Sequence, residues 1–517
     1  MLNLRVGALP AAAFIATVSI GTLWADSSWG QDQLSFSRQD TSLGDFAGPN
    51  DSATGDFNGD GEVDLVITAD DTPHLRILLG NGDGTFQAAL TPPIEEVAGA
   101  IAVADLNDDG RQDLVVSLLS NSNVLAIRLG NGDGTFQSAP DMTTDAAPGH
   151  VCVGDFNGDD AQDLAVSTFF NGAGTLSIYL GSGDGTFSRG QELPDGTPFA
   201  LTPGDFNGDG RQDLAAIDFI PGHNRVVILL GHGDGTFEPV AQASEVAPSS
   251  SSLTLGDFNG DGRLDVATAD PNNDVVSVLI GTGDGTFEAA RTFAAGVPPD
   301  QFHLVQPTSI AVGDFNGDGH QDLATGNRRP NDPPTDGSAS VLLGRGDGTF
   351  ETAQEFPAAE GTQVLVVADF NNDSRLDLAT FGDSERTPDV MSILLNDTSI
   401  AEIPATIDIE PGDFRNRINP RSGGKVRVAV LTESSFDATE VDPATVRFGR
   451  TGTEAAPVHF ALKDVDEDGN TDIVLRFKIH QTGIACGDTS ASLTATTFGG
   501  QRIEGLDSIR TTGCKKH

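Results

Sequence analysis

Short segments that alternate acidic or amide side chains with other residues recur along the chain. The first, residues 56–64, reads D-F-N-G-D-G-E-V-D, and six further copies start at residues 105, 155, 205, 257, 314 and 369. We number these copies loops 1–7 and their residues positions 1–9. A hard divalent cation such as calcium takes six to eight oxygen ligands, and carboxylates at alternate positions of one loop can converge on a single ion. The pattern therefore predicts seven calcium sites.

The predicted ligands occupy the odd positions of each loop. Position 1 is Asp56, Asp105, Asp155, Asp205, Asp257, Asp314 and Asp369. Position 3 is Asn58, Asn107, Asn157, Asn207, Asn259, Asn316 and Asn371. Position 5 is Asp60, Asp109, Asp159, Asp209, Asp261, Asp318 and Asp373, and position 9 is Asp64, Asp113, Asp163, Asp213, Asp265, Asp322 and Asp377. Position 7 varies and is therefore expected to contribute its backbone carbonyl: it is Glu62, Arg111, Ala161, Arg211, Arg263, His320 and Arg375.

The loops differ from an EF-hand, which has Glu at position 12 and flanking helices. Position 12 here lies within strand-like runs, as at Ile67 and Val116. Gly at position 6 permits a sharp bend, but Asp160 and Ser374 replace it in loops 3 and 7. Ser tolerates the left-handed conformation less well than Asp, so we expect loop 7 to bind calcium most weakly. Two alternatives stay open: magnesium, which prefers stricter octahedral geometry, and metal-free turns capped by the Asp and Asn side chains.

A second motif recurs with the loops and defines a repeat of about 50 residues. Residues 79–86 read L-G-N-G-D-G-T-F, and the closing aromatic returns at Phe136, Phe187, Phe237, Phe287 and Phe350. In residues 101–137 the acidic loop joins strands 1 and 2, and the glycine-rich turn joins strands 3 and 4. Four antiparallel strands for each repeat predict an all-β fold, a β-propeller with seven blades.

The last repeat stops at Asp397, before any fourth strand. An additional β-like piece at residues 33–38 precedes the first repeat. We expect this N-terminal strand to complete the seventh blade and close the ring, which removes exposed sheet edges. The predicted domains are a leader and linker at residues 1–30, the propeller at residues 31–400 and a β-sandwich at residues 401–517.

Strand order places the acidic loops and the glycine-rich turns on one face of the propeller. The connections on the opposite face vary in length and sequence, so that face is the expected binding surface. His223 and His303 are candidate ligand contacts there, and Arg328-Arg329 is a candidate contact for an acidic partner.

Residues 401–517 break the repeat. Alternating runs predict strands at residues 407–409, 426–431, 445–448, 473–477 and 492–497. An eighth acidic loop at residues 464–472, loop 8, supplies the predicted ligands Asp464, Asp466, Asp468, Asn470 and Asp472. Cys486 and Cys514 are expected to form a disulfide, and Cys152 to be a small buried residue.

The net charge of −47 excludes a nucleic-acid partner, because the chain could not neutralise phosphates. Arg5 and the uncharged apolar run at residues 6–20 predict a secretion signal with cleavage after Ala25. A membrane anchor over residues 6–24 is the alternative, weakened by Pro10. The expected location is therefore secreted, extracellular or at the cell surface, with no membrane span in the mature chain.

Catalytic motifs are not found: HExxH, GxSxG and CxxC are absent. Ser422-Gly423-Gly424-Lys425 fits S-x-x-K but reads better as a turn before a strand. The two Trp lie in the first 30 residues and Tyr179 is the only Tyr, which disfavours a carbohydrate ligand. We therefore expect no enzymatic activity.

The loops and the glycine-rich turns resemble the FG-GAP/VCBS repeat family, which includes the propeller of integrin α-subunits. The resemblance implies seven blades, calcium on the lower face and ligands on the upper face. The residues after 400 look like a domain of exported bacterial proteins. Together these features predict a secreted calcium-binding module for adhesion to an extracellular protein or surface. A calcium-dependent lectin or polysaccharide-active propeller enzyme is the alternative, so the partner is an extracellular protein or a glycan.

Overall fold

The computed structural model has an all-β fold, as predicted, and the part of the chain that it describes contains only strands and two 3₁₀ turns (Ala438–Glu440 and Ile479–Gln481) as regular elements. It describes residues 34–514 except for 45–47, 70–71, 95, 120–122, 171–172, 197, 219–223, 241–242, 297–304, 329–336, 383–388, 399–402, 414, 434–435, 452–453, 467 and 498–501. The leader therefore lies outside the described residues. Within them, no helix is long and apolar enough to span a bilayer.

The repeats form seven antiparallel sheets, which we number in chain order. An initial strand, β1 (Phe36–Gly44), precedes sheet 1, which contains β2 (Pro49–Gly55), β3 (Asp64–Ala69) and β4 (Arg76–Leu78). Sheet 2 contains β5 (Ala98–Ala104), β6 (Asp113–Leu118), β7 (Val124–Gly130), β8 (Phe136–Ser138) and β9 (Met142–Thr143). Sheet 3 contains β10 (Ala147–Gly154), β11 (Asp163–Phe170), β12 (Ala173–Gly181) and β13 (Phe187–Gly196).

The next four sheets repeat this order. Sheet 4 contains β14 (Pro198–Gly204), β15 (Asp213–Asp218), β16 (Arg225–Gly231), β17 (Phe237–Pro239) and β18 (Ser244–Glu245). Sheet 5 contains β19 (Ser252–Gly256), β20 (Asp265–Asp270), β21 (Val275–Leu279) and β22 (Arg291–Ala294). Sheet 6 contains β23 (Pro307–Gly313), β24 (Asp322–Asn327), β25 (Ser338–Leu342) and β26 (Gln354–Pro357), and sheet 7 contains β27 (Thr362–Ala368), β28 (Asp377–Gly382) and β29 (Asp389–Asn396) together with β1.

The sheets close into a ring. The first strand of each sheet contacts the first strand of the next sheet, and β27 of sheet 7 contacts β2 of sheet 1. The apolar clusters lie between neighbouring sheets: one joins Ile77 of sheet 1 to Leu114 and Val116 of sheet 2. The second strand of a sheet is therefore covered on both faces, and every residue of β6 is buried. Stability in such an array depends on contacts between neighbouring sheets.

The N-terminal strand completes sheet 7, as predicted. β1 pairs antiparallel with β29 from Phe36 opposite Asn396 to Gly44 opposite Asp389. The predicted extent was wrong, because residues 33–38 cover less than half of this strand. Residues 39–42 have no apolar alternation, and they are strand residues because the full length of β29 offers an unpaired edge.

The outermost strand differs most from sheet to sheet: it has ten residues in sheet 3 but is short or interrupted in sheets 1, 2 and 4. In sheet 1 the bridges His74–Pro93, Ile77–Leu90 and Gly80–Phe86 stand where a fourth strand was predicted. In sheets 2 and 4 the outer strand is split into two short pieces.

The C-terminal region contains two further four-stranded sheets around one apolar cluster. Its strands are β30 (Ile403–Pro404), β31 (Ile407–Ile409), β32 (Arg417–Ile418), β33 (Lys425–Val430), β34 (Arg447–Gly449), β35 (His459–Lys463), β36 (Asp472–Lys478), β37 (Ser490–Thr496), β38 (Arg502–Ser508) and β39 (Arg510–Thr511). One sheet has the order β30-β38-β37-β34 and the other β31-β33-β36-β35, while β32 pairs with β39. The predicted disulfide between Cys486 and Cys514 is confirmed, and Cys152 is free and buried.

Five C-terminal strands were missed: the two-residue strands β30, β32 and β39, and the longer strands β35 and β38. β35 carries Phe460 and Leu462, which are 51% and 56% exposed, so no buried face marks it as a strand. In β38, Gly505 stands where an apolar side chain would continue the alternation that indicates a strand. The predicted domain boundaries stay a prediction.

Candidate metal sites and an axial cavity

Each of loops 1–7 connects the first strand of a sheet to the second, and position 9 is the first residue of that second strand. Backbone hydrogen bonds from inside the loop hold positions 1, 3 and 5 together. In loop 1 the Asp56 carboxylate accepts hydrogen bonds from the amides of Gly59, Asp60 and Gly61 at 2.7–3.2 Å. Asn58 Oδ1 accepts from the Asp60 amide at 2.8 Å. The loop therefore folds around its own side-chain oxygens.

The same bonds recur in the other loops. The position 6 amide donates to position 1, and the position 5 amide donates to position 3, in all seven. The bend at position 6 is left-handed throughout, with φ of +87° at Gly61, +69° at Asp160 and +67° at Ser374. Asp160 and Ser374 thus adopt the conformation that the glycine pattern predicts, where a side chain is strained.

The position 9 Asp is fully buried in every loop. In loop 1, Asp64 Oδ2 accepts from the Phe57 amide and Oδ1 from the Gly80 amide at the end of the third strand, both at 2.8 Å. The equivalent bonds in loops 2–7 measure 2.7–3.0 Å. Each oxygen retains a second lone pair. The position 9 carboxylate therefore ties the loop to the third strand, a role that the sequence alone does not show.

Burial without a positive partner raises the pKa of these carboxyls. It raises the pKa of Asp163, Asp265 and Asp377 to about 6 and that of Asp322 to about 8. The nearby carboxylates at positions 1 and 5 add to the increase in each case. Each loop thus concentrates negative charge around one buried carboxylate.

The glycine-rich turns fasten each loop to the following sheet. The Gly134 amide in sheet 2 donates to the Phe57 carbonyl of loop 1 at 2.9 Å, and the Phe136 and Phe57 rings pack edge to face. Five other turns make the same bond at 2.9–3.1 Å: Gly84 to Phe370, Gly185 to Leu106, Gly235 to Phe156, Gly285 to Phe206 and Gly348 to Phe258. Gly134 has φ of +81° and an added Cβ would lie 2.9 Å from Leu79, so only glycine fits the turn.

Sheet 7 lacks this turn, and Asn396 replaces it. Asn396 Nδ2 donates to the carbonyls of Phe315 in loop 6 at 2.8 Å and Leu376 at 3.2 Å. The backbone amide of Asn396 makes the bond to position 9 that Gly80 makes in sheet 1. The signal that could have identified Asn396 is its place in the repeat, where the other sheets have glycine.

Loop 8 has the same internal pattern in the C-terminal region. Asp472 is fully buried and accepts from the amides of Val465 and Thr432 at 2.8 and 2.9 Å. Asp464, Asp466 and Asp472 each have one carboxylate oxygen within 4.8 Å of the other two. Among the described residues, no other three Asp, Glu, His or Cys side chains bring their ligand atoms as close together. Loop 8 is thus the most converged of the predicted metal sites.

A cavity of about 490 Å³ lies on the ring axis. Its wall is formed by the beginnings of the first strands from six sheets, including Asp51, His150, Ser252, Ser309 and Gln363. The acidic loops follow the ends of those same strands, so the cavity lies on the side away from loops 1–7. Burial raises the pKa of Asp51 to about 6 and lowers that of His150 to about 4.

Other predicted residues lie elsewhere. Residues 422–424 form a bend, in which the Gly424 amide donates to Ser422 Oγ, and Lys425 begins β33. Arg328 donates its amide to the Gln306 carbonyl. His223, His303 and Arg329 lie outside the described residues.

Comparison with known proteins identifies the repeat. The family model described as an FG-GAP-like repeat matches residues 56–116, 105–166, 161–216, 205–268, 257–325 and 333–380. Among solved structures, a protein from Lactobacillus plantarum determined by the Northeast Structural Genomics Consortium is 12% identical, with a TM-score of 0.45 over 64% of this chain and 93% of that chain. A search of the curated proteins gave no match.

Proposed function

Because the chain belongs to the FG-GAP-like repeat family, we propose that it is an exported propeller that calcium stabilises and that binds an extracellular partner on the face opposite its acidic loops. The observation that supports calcium most directly is the position 9 Asp. It is buried in every loop, its hydrogen-bond partners are neutral amides, and carboxylates surround it.

The donor set fits calcium. Each loop offers carboxylate oxygens at positions 1, 5 and 9, an amide oxygen at position 3 and a carbonyl at position 7, all of which are hard ligands. A bound cation would supply the positive charge that the buried carboxylate lacks. The chain's own residues fix the loop and the second strand, and the ion would hold the acidic side chains together without repulsion.

Export is supported by two independent features. The disulfide between Cys486 and Cys514 is typical of an oxidising compartment. The first 25 residues have the charge and hydrophobicity of a secretion signal. A secreted protein would also meet the high calcium concentrations at which weak sites are filled.

The axial cavity is the candidate ligand site on the opposite face. Its described wall combines Asp51 and His150 with the hydroxyl and amide side chains of Ser252, Ser309 and Gln363, and among the described lining residues none is Lys or Arg. Such a wall suits a neutral or cationic polar group better than an anion. This polarity also keeps the glycan alternative open, and a glycan array read with and without calcium separates it from protein binding.

Thermal unfolding with and without chelator tests the calcium proposal. We expect exhaustive EDTA treatment to lower the melting temperature markedly, and added calcium, but not equal ionic strength of sodium chloride, to restore it. A melting curve that EDTA leaves unchanged would contradict the proposal.

A further inference from the structure

The position 7 side chains divide loops 1–7 into two groups. Loops 2, 4, 5 and 7 have Arg, whereas loops 1, 3 and 6 have Glu62, Ala161 and His320. We infer that this residue sets the calcium affinity of each loop, the arginine being a built-in counter-ion that weakens binding. The inference rests on the proposed calcium binding and names its regulation.

In the arginine loops the guanidinium pairs with the position 5 carboxylate of the same loop. Nη1 of the arginine lies close to Oδ2 of the aspartate in each pair. The distance is 3.4 Å for Arg111–Asp109, 3.4 Å for Arg211–Asp209 and 3.6 Å for Arg263–Asp261. Each pair uses Oδ2, while Oδ1 of the same carboxylate accepts the position 7 amide at 3.0 Å. Both oxygens of a proposed calcium ligand are therefore engaged, one of them by a positive charge.

Loop 7 shows the tightest pair. Arg375 lies 2.5 Å from Asp373, and their side chains are only 30% and 26% exposed, so solvent screens this pair less than the others. Ser374 adds backbone strain in the same loop. Loop 7 is therefore expected to be the weakest site on two independent grounds.

Loops 1 and 3 have the opposite character. Loop 1 contains four carboxylates and no cation, because Glu62 adds to Asp56, Asp60 and Asp64. Glu62 accepts a hydrogen bond from Asn372 of loop 7, a neutral partner that leaves its charge in place. Loop 3 also has four carboxylates, since Asp160 replaces the glycine, and Ala161 provides no counter-ion.

The neighbouring loop explains which residue can occupy position 7. This position lies against the glycine-rich turn of its own sheet, where Arg111 is close to Gly132 and Arg211 is close to Gly233. Position 4 of the preceding loop faces the same turn: the Asp108 carboxylate lies near Gly183, next to Ala161. An Arg or His at position 7 always follows a loop with Gly at position 4, whereas Glu62 and Ala161 follow Asn372 and Asp108.

The size of the effect follows from Coulomb's law. One positive charge about 6 Å from a divalent ion in a watery environment changes its affinity by about tenfold, and salt reduces this to a few-fold. Loops 1 and 3 should therefore fill at lower calcium than loops 4, 5 and 7, and loop 2, in which a fourth carboxylate at Asp108 offsets Arg111, should fall between them. Calcium would load the ring in at least two steps.

Equilibrium dialysis with radioactive calcium, counted as ions bound to each chain, tests the inference. We expect a multiphasic isotherm for the unaltered protein. Arg211→Gln with Arg263→Gln should move two ions for each chain to three- to tenfold tighter binding, and Glu62→Gln should weaken one tight site. Arg417→Gln, which removes an equally exposed arginine paired with Asp413 at 2.8 Å in the C-terminal region, is the matched control.

The outcomes separate this inference from the proposed function. Isotherms of the variants that superimpose on that of the unaltered protein would overturn the inference while leaving calcium binding intact. A protein that binds no calcium at all would overturn both. Circular dichroism in EDTA checks that each variant is folded, and the difference between the isotherms should shrink as sodium chloride is increased.

Discussion

Replacing Asn396 with Ala should weaken the closure of the ring more than any exposed substitution nearby. The side chain donates to the Phe315 and Leu376 carbonyls and accepts from the Thr398 amide at 3.0 Å. Asn396 is fully buried and Thr398 is nearly so. The substitution leaves buried backbone groups without partners, at about 1–3 kcal/mol each. Because such losses are not additive, we expect about 3–5 kcal/mol in total.

Thermal unfolding in excess calcium measures this loss. For a propeller of about 360 residues, with an unfolding entropy of about 2.1 cal/mol/K for each residue, the change corresponds to a melting temperature lower by roughly 4–7 °C. Asn131→Ala is the matched control, because Asn131 makes one exposed side-chain hydrogen bond to Thr135 at 2.9 Å. The control should change stability by less than about 0.5 kcal/mol. If Asn396→Ala melted within a degree or two of the control, the side chain would not be what replaces the missing turn.

Three other predictions concern different parts of the molecule. Deleting residues 34–44 exposes the edge of β29, so we expect association of the truncated protein in light scattering, whereas an unchanged monomer would argue against closure by β1. Asp51→Asn tests the cavity wall. Burial raises the folded-state pKa of Asp51 to about 6, so the folded state favours the protonated carboxyl. The protonated carboxyl therefore contributes fully to the free energy of unfolding below pH 4, and this contribution is lost as the pH rises through 6. The unaltered protein should therefore lose about 1–2 kcal/mol relative to Asp51→Asn between pH 4 and 7, and parallel melting curves would refute this. Cys486→Ser with Cys514→Ser opens a loop with a sequence separation of 28 and should cost the C-terminal region about 3 kcal/mol in chemical unfolding. An equal loss in the propeller would contradict the assignment of this bond to the C-terminal core.

The repeats made the ring predictable from the sequence. Loop and turn recur at nearly constant spacing, and the count of six turns against seven loops shows that the last sheet needs a strand from elsewhere. This missing strand led to the prediction that the β-like piece before the first repeat completes the last sheet. Its length was not predictable, because the backbone ladder with β29 rather than an apolar pattern makes residues 39–42 a strand.

The sites were predictable in residue type but not in their bonding. Position 9 appears in the sequence as one more acidic residue, whereas one of its two amide bonds comes from the end of a third strand 16 residues or more away. The Asn396 bond to Phe315 spans 81 residues. The cavity is assembled from six strands that are far apart in the chain, and nothing local marks their first residues as neighbours.

The most direct test of the account is an anomalous difference map from crystals grown in calcium. We expect a peak in loops 1–8, about 2.3–2.6 Å from oxygens of positions 1, 3 and 5. Peaks of lower height in loops 4, 5 and 7 than in loops 1 and 3 would agree with the arginine counter-ions. A map with no peak at Asp257, Asn259 and Asp261 would contradict the claim that calcium holds these carboxylates together, and so would a map with no peak in any of the other loops.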